Sequence, residues 1–313
     1  MHTLNEAFST LSVRRRYEVW FLRIGLADGS GAWWFRYLVM NPGRGGCVDS
    51  QRGMPVQVWA TWFPTRESPQ SFIQGFTLSD SSLSARAQNP FRFQVQDNEI
   101  GEDFCRGALN IDGHRITWNL QYCSTFRVTL SSKGWIGFSR TPHSDAIFSG
   151  EITLDDRRFT GTPLGFGVQG HNCGYRHRDF WRWMHSYFPR NGAPPTTLEA
   201  LAYEMPLGLV FRKAVLWHDS HPYGFSNLRE FRTRREEMQW EFGAGTRDGL
   251  QLQAAIDGRG ASLHQVPYVR TNCSGNFEVW NNSLASASIV ITLRDGSTER
   301  LKTGTGAVLE MVG

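Results

Sequence analysis

Lysine is almost missing from this 313-residue chain: only Lys133, Lys213 and Lys302 occur among 33 basic residues, and the rest are arginines. That bias fits a GC-rich coding sequence better than a nucleic-acid groove, because the net charge of +4 is spread thinly. The densest basic cluster (Arg229, Arg232, Arg234 and Arg235) is answered by Glu230, Glu236 and Glu237, so no nucleic-acid partner is expected. Long apolar runs are absent too, and nothing approaches the roughly eighteen residues that a membrane helix needs. Met1 to Arg16 lacks an apolar core, so a secretory leader is not expected. Cysteine is sparse. Cys47, Cys105, Cys123, Cys173 and Cys273 are odd in number and widely spaced, which predicts reduced thiols and a cytoplasmic location. No C-x-x-C or H-E-x-x-H spacing supports a metal centre. A G-x-S-x-G elbow, a Walker loop and a dinucleotide fingerprint are all lacking, which excludes the matching hydrolase, NTPase and nicotinamide classes, and no cofactor is expected.

What the chain does have is aromatic residues, at 13% of the sequence, and 32 glycines. Aromatic side chains suit pleated surfaces and glycines punctuate turns, so the composition predicts an all-β protein. Strand-length segments recur at intervals of about eight to twelve residues. Arg16–Leu26 and Trp33–Met40 flank Asp28-Gly29-Ser30-Gly31, a hairpin signal. Further strands are expected over Val56–Phe63, Ser71–Leu78, Phe91–Val95, Gly107–Ile111, His114–Tyr122 and Ile147–Leu154. In the second half they fall at Phe180–Phe188, Leu198–Met205, Leu209–Trp217, Glu237–Gly243 and Leu250–Asp257, then at Asn276–Trp280, Ala287–Leu293, Ser297–Leu301 and Val308–Val312. Thr3–Ser12 and Leu228–Glu237 are the two candidate short helices. Without alternating helices, a parallel α/β sheet is excluded and antiparallel barrels or sandwiches remain. The glycine-rich stretch Thr160–Arg178 reads as the passage between two β domains, placed at 1–168 and 169–313.

Two constellations carry possible chemistry. On the first strand Glu18 shares a face with Trp20, Leu22, Ile24 and Leu26, because side chains alternate. Tyr17, Val19 and Phe21 make the other face apolar as well. A carboxyl group held there must pair with a cation or keep a proton. Arg36 on the neighbouring strand is a candidate partner; the readings are a buried structural pair or a proton donor in a pocket. The second constellation runs from Gln169 through His171, Asn172, Cys173, Tyr175 and His177 to Trp181, Trp183, His185 and Tyr187. Those last four share a strand face suited to an apolar, π-rich or cationic species, or else to plain core packing. Cys173 is the one candidate nucleophilic cysteine, with a small buried hydrophobe as the alternative. His143-Ser144-Asp145 contains triad residue types, but adjacent residues cannot reach one another in triad geometry.

At these same positions a family resemblance enters. Glu18-Val19-Trp20-Phe21 resembles the E-W-W-Y first strand of the lipocalin-like, calycin-related family of tocopherol cyclases, carotenoid hydratases and related natural-product cyclases. Trp34-Phe35-Arg36-Tyr37 is similar to its W-x-R-Y strand, His171-Asn172-Cys173-Gly174 to its H-N-W-G, and Trp181-Arg182-Trp183 to its W-x-W. The likeness covers Tyr17 to Phe188. Cys173 departs from the usual tryptophan, Val19 from an aromatic, and Gly170 from an acidic or bulky residue. The resemblance implies two lipocalin-like antiparallel β domains side by side, with a hydrophobic pocket near their junction. It also implies cofactor-independent cyclisation, isomerisation or hydration of a polyene, terpenoid or prenylated molecule. The expected catalytic residues are Glu18, His171, Asn172 and Tyr175; the expected substrate-binding residues are Trp20, Trp34, Arg36, Trp181, Trp183 and His185. The alternatives are a non-catalytic carrier of a hydrophobic ligand and a Diels-Alderase-type cycloaddition catalyst. The expected partner is a hydrophobic small molecule, with peripheral membrane contact and oligomeric state left open.

Overall fold

The computed structural model describes residues 4–7, 16–41, 55–83, 91–133, 137–234, 236–271 and 275–313. Twenty-two strands and no α-helix make up the described chain. The first six are β1 (Arg16–Leu26), β2 (Gly31–Asn41), β3 (Val56–Pro64), β4 (Gln70–Phe76), β5 (Ser81–Leu83) and β6 (Arg92–Val95). Then come β7 (Asn98–Gly101), β8 (Phe104–Ile111), β9 (His114–Cys123), β10 (Val128–Lys133), β11 (Gly137–Leu154) and β12 (Arg157–Gly174). The second sheet begins with β13 (Trp181–Phe188), β14 (Thr196–Glu204), β15 (Val210–His218), β16 (His221–Phe225) and β17 (Arg229–Arg234). It is completed by β18 (Gln239–Gly245), β19 (Gln251–Asp257), β20 (His264–Val269), β21 (Asn276–Thr292) and β22 (Thr298–Val312). Every described pairing is antiparallel. The architecture is therefore all-β, built on two antiparallel sheets.

The chain divides into two compact units. One comprises Met1–Trp62, Gln70–His177 and Tyr268–Phe277; the other comprises Phe63–Pro69, Arg178–Pro267 and Glu278–Gly313. The first sheet runs β4-β3-β2-β1-β12-β11-β9-β8-β7-β6-β5, with β10 on β11. It curls until Phe72 of β4 meets the ring of His114 on β9 at 5.4 Å. Alternation then separates an inner face from an outer one. Trp20, Leu22 and Ile24 point inward with Trp33, Phe35 and Tyr37, and join Trp62, Trp118 and Phe148 in one buried core. Burial of such side chains contributes about 1.5–3 kcal/mol each. Inside it Trp118 Nε1 donates to the Tyr37 hydroxyl at 3.0 Å, which itself donates to the Arg106 carbonyl at 3.0 Å, so two polar groups are satisfied among hydrocarbons. The second sheet runs β16-β15-β14-β13-β22-β21-β19-β18-β17, with β20 on β21. It encloses its own core around Met184, Phe188, Trp240, Phe242 and Ile289.

Two expectations change. Most of the glycine-rich stretch read as a passage is β12, the strand that joins β1 to β11. Its glycines are required by close packing: a Cβ on Gly167 would strike the Arg23 carbonyl of β1, and one on Gly170 would strike the Phe21 ring. Leu228–Glu237 is not helical; its described part is dominated by β17, which pairs with β18. The expected helix over Thr3–Ser12 lies mostly outside the described residues, as do Cys47 and Cys273. Among the described residues Cys105, Cys123 and Cys173 form no disulfide. Among the described residues no helix is long and apolar enough to cross a membrane.

Candidate functional site

The β1–β12 pairing sets Trp20 opposite His171 and Glu18 opposite Cys173, all facing inward. Across this seam His171 Nε2 lies 2.8 Å from Glu18 Oε1. The other ring nitrogen, Nδ1, donates to the Leu4 carbonyl at 2.8 Å. A carbonyl can only accept, so Nδ1 carries a hydrogen and the remaining proton of the pair lies between Nε2 and the carboxyl group. Trp20 stacks on the imidazole at 4.7 Å and Phe138 meets it edge-on at 4.8 Å. Both Glu18 and His171 are 0% exposed. The result is one titratable pair walled by aromatic rings.

Leu4 to Ala7 covers this pair. Besides the Leu4 bond, the Asn5 carbonyl accepts from Trp20 Nε1 at 3.1 Å. The Asn5 and Gln169 side-chain amides exchange two hydrogen bonds, at 3.1 and 3.0 Å. Ala7 belongs to the inner core. This short segment thus packs over the pair through polar contacts with His171, Trp20 and Gln169.

Arg36 is not the partner of Glu18. The register places Arg36 opposite Phe21 and Glu18 opposite Val39, so parity sends the arginine to the outer face. There its guanidinium carbon lies 4.6 Å from the Trp59 ring centre and 4.1 Å from that of Tyr268. Trp34 shares that face and meets Phe21 at 5.9 Å. Asn172, opposite Val19, is there as well, and its buried Oδ1 accepts no hydrogen bond. Nearby His177 stacks on Tyr17 at 4.1 Å. Burial, with the charges of Arg36 and Arg270, pushes its pKa down to about 3. Tyr175 lies past the end of β12 and lies under the guanidinium of Arg16 at 4.3 Å. Cys173, inward and buried, receives an Arg16 N–H at 4.0 Å.

The expected residues of β13 belong to the second unit. Trp181, Trp183 and His185 lie on the face opposite Met184 and Phe188, away from that unit's core cluster. Trp181 Nε1 donates to Glu310 at 2.8 Å and Trp183 Nε1 to Glu199 at 2.9 Å. His185 is fully buried. The expected residues therefore form three groups, with Tyr175 apart beyond the end of β12: Glu18, Trp20 and His171 inside the first sheet, Trp34, Arg36 and Asn172 on its outer face, and the β13 set in the second unit. Sequence reading missed Asn5, Trp59, Glu199, Tyr268 and Glu310. Among these, Glu199 carried a signal, since it is a lone carboxylate in the apolar run Leu198–Ala202.

The His143-Ser144-Asp145 stretch is a turn clamp. His143 takes the Ser124 hydroxyl at 2.8 Å on Nδ1, while its Nε2 donates to the Glu102 carbonyl at 2.8 Å. Asp145 accepts the Thr125 and Phe126 amides. Among the described residues no three His, Cys, Asp or Glu side chains converge as metal ligands.

No family model matches the chain, and no curated protein does. Solved structures do. The crystal structure of CghA with Sch210972 superposes with a TM-score of 0.64 at 10% identity, over 95% of this chain and 88% of that one. CghA without that molecule gives 0.60 at 12% identity over the same shares. Kievitone hydratase from Nectria haematococca gives 0.58 at 10% identity, over all of this chain and 92% of that one. At such identities the likeness is one of fold, and this chain is built like CghA and kievitone hydratase.

Proposed function

We propose that the chain is a cofactor-independent cyclase, isomerase or hydratase acting on a hydrophobic polyene, terpenoid or prenylated molecule. The observation that carries this reading is the Glu18–His171 pair, a shared proton held among Trp20, Phe138 and the inner core. The likeness of fold to kievitone hydratase and to CghA bound to Sch210972 supports the same class. Protonating an alkene requires an acid that stays un-ionised near neutral pH and walls that tolerate a carbocation. The pair supplies the proton, and a new C–H bond forms at one alkene carbon. Aromatic rings beside the pair, Phe138 among them, attract the cation left on the other carbon, a contribution of about 0.5–2 kcal/mol. Cyclisation then returns a proton to the pair, whereas hydration adds water and releases one. Substrate enters by displacing Leu4–Ala7, and its own polar groups take over the donors of His171, Trp20 and Gln169.

Turnover of a panel of prenylated phenols and polyenes in heavy water tests this reading. One deuterium per product molecule is expected. Glu18→Gln and His171→Ala are each expected to lose about 10²–10⁴-fold in rate, the usual contribution of a general acid. Unchanged turnover in both variants removes the pair from the mechanism.

A second reading, a carrier for a hydrophobic ligand, is favoured by one observation: both members of the pair are buried and have hydrogen-bond partners, as a structural pair would be. On that reading every panel compound is recovered unlabelled, while at least one co-purifies with the protein.

A further inference from the structure

Arg36 is a cation in an unusual position. Only 6% of its surface is exposed, and its Nη1 is buried with no hydrogen-bond acceptor among the described residues. No described carboxylate forms an ion pair with it. Its neighbours are two rings, Trp59 and Tyr268, which stand perpendicular to each other with centres 5.3 Å apart. The guanidinium sits in the corner they make. Trp59 Nε1 donates to Gln57 at 2.9 Å, and an indole has no acceptor lone pair, so this wall of the corner offers the arginine a ring face only. A second cation belongs to the same locality: burial, and after it the charges of Arg36 and Arg270, keep His177 neutral. Ring faces attract a guanidinium, but they do not replace the hydrogen bonds its edge makes in water. A buried charge is ordinarily paired, and one that is not calls for an explanation.

We propose that Arg36, with Trp59 and Tyr268, forms a binding site for a planar oxyanion, a carboxylate in the first instance, carried on an aromatic or conjugated body. The fork of a guanidinium edge matches the two oxygens of a carboxylate and donates to them side by side. The ligand's conjugated body lies along the rings of Trp59 and Tyr268, where its edge meets their faces. This site is on the outer face of the first sheet, with Glu18 and His171 on the inner face, so it stands apart from the proton-transfer reading. Binding is measured without turnover, and either idea survives the failure of the other.

Titration of the full-length protein with trans-cinnamate and with cinnamamide, its neutral isostere, tests the site by calorimetry. Cinnamate is expected to bind at least tenfold more tightly than cinnamamide. In Arg36→Met that preference is expected to fall below twofold, and in Trp59→Leu both affinities weaken together. The guanidinium NMR signals of the unsubstituted protein give a reading that no variant's folding affects, and cinnamate is expected to shift that of Arg36. Equal affinity for the two compounds, binding of neither at millimolar concentration, or a preference retained in Arg36→Met overturns the proposal. So does an Arg36 signal that cinnamate leaves in place.

Discussion

Trp20 and His171 stack across the β1–β12 seam with their ring centres 4.7 Å apart and their planes 16° from parallel. The same indole also touches Phe91 and Phe93 and donates to Asn5. One side chain therefore ties the seam, the inner core and the covering segment together. Trp20→Leu is expected to cost about 3–5 kcal/mol, the range for truncating a large buried aromatic. Urea unfolding followed by circular dichroism reads the loss.

Asn5 and Gln169 satisfy each other in a fully buried setting. Asn5→Ala strands the Gln169 amide, at a cost of about 1–3 kcal/mol. The double variant with Gln169→Leu is expected to recover part of that loss, because two matched apolar groups leave no orphan. Thermal melts of the three variants give the coupling.

Glu230 gathers three donors: Arg182 Nη1 at 2.5 Å, Arg212 Nε at 3.0 Å and Trp240 Nε1 at 2.9 Å. Glu230→Ala leaves two guanidinium groups and an indole without it. A loss of about 2–4 kcal/mol is expected, close to that for breaking a buried pair. Glu230→Gln is expected to lose less, since its carbonyl still accepts.

Acid is expected to unfold this protein through its histidines. His177 is held down at about 3 in the folded state, against an unfolded value of about 6.5. Below about pH 6.5 the unfolded chain binds the extra proton and the folded chain does not, so stability falls as pH falls. The slope approaches about 1.4 kcal/mol per pH unit until the folded value is reached. Burial lowers His143, His218 and His264 in the same direction. His177→Phe keeps a ring beside Tyr17 and is expected to flatten the profile between pH 6 and 3. An unchanged slope in urea titrations across that range contradicts the assignment.

Much of the fold was legible. Arg16–Leu26 is β1 to the residue, and the Asp28-Gly29 turn marks its C-terminal end. Elsewhere local signals misled. Asn276–Trp280 and Ala287–Leu293 read as two strands but lie on the single strand β21, whose register shifts near Asn282 and Ala285 carry the chain through the polar stretch between them. Arg229–Arg234 is so polar that it resembled an exposed helix, yet cross-strand partners on β18 fix it as a strand. The glycines of β12 looked like a linker, since their purpose lies in the strand beside them. Glu18 and His171 were both singled out, but not as a pair, because pairing depends on a register that no local pattern encodes. Tyr268 was out of reach for a similar reason: it joins a unit otherwise drawn mainly from the first half of the chain.

The bond between Glu18 and His171 joins positions 153 residues apart. On a ribosome working at about 5–20 residues per second, β1 emerges roughly 8–30 s before the strand that will flank it. Throughout that wait a segment apolar on both faces has β2 along one edge and an unpaired other edge, a ready template for pairing with another nascent copy. Yield in a foreign host should therefore depend on how translation speed and chaperone supply compare with that delay, and cooler, slower growth with extra holdase should favour folded protein over inclusion bodies.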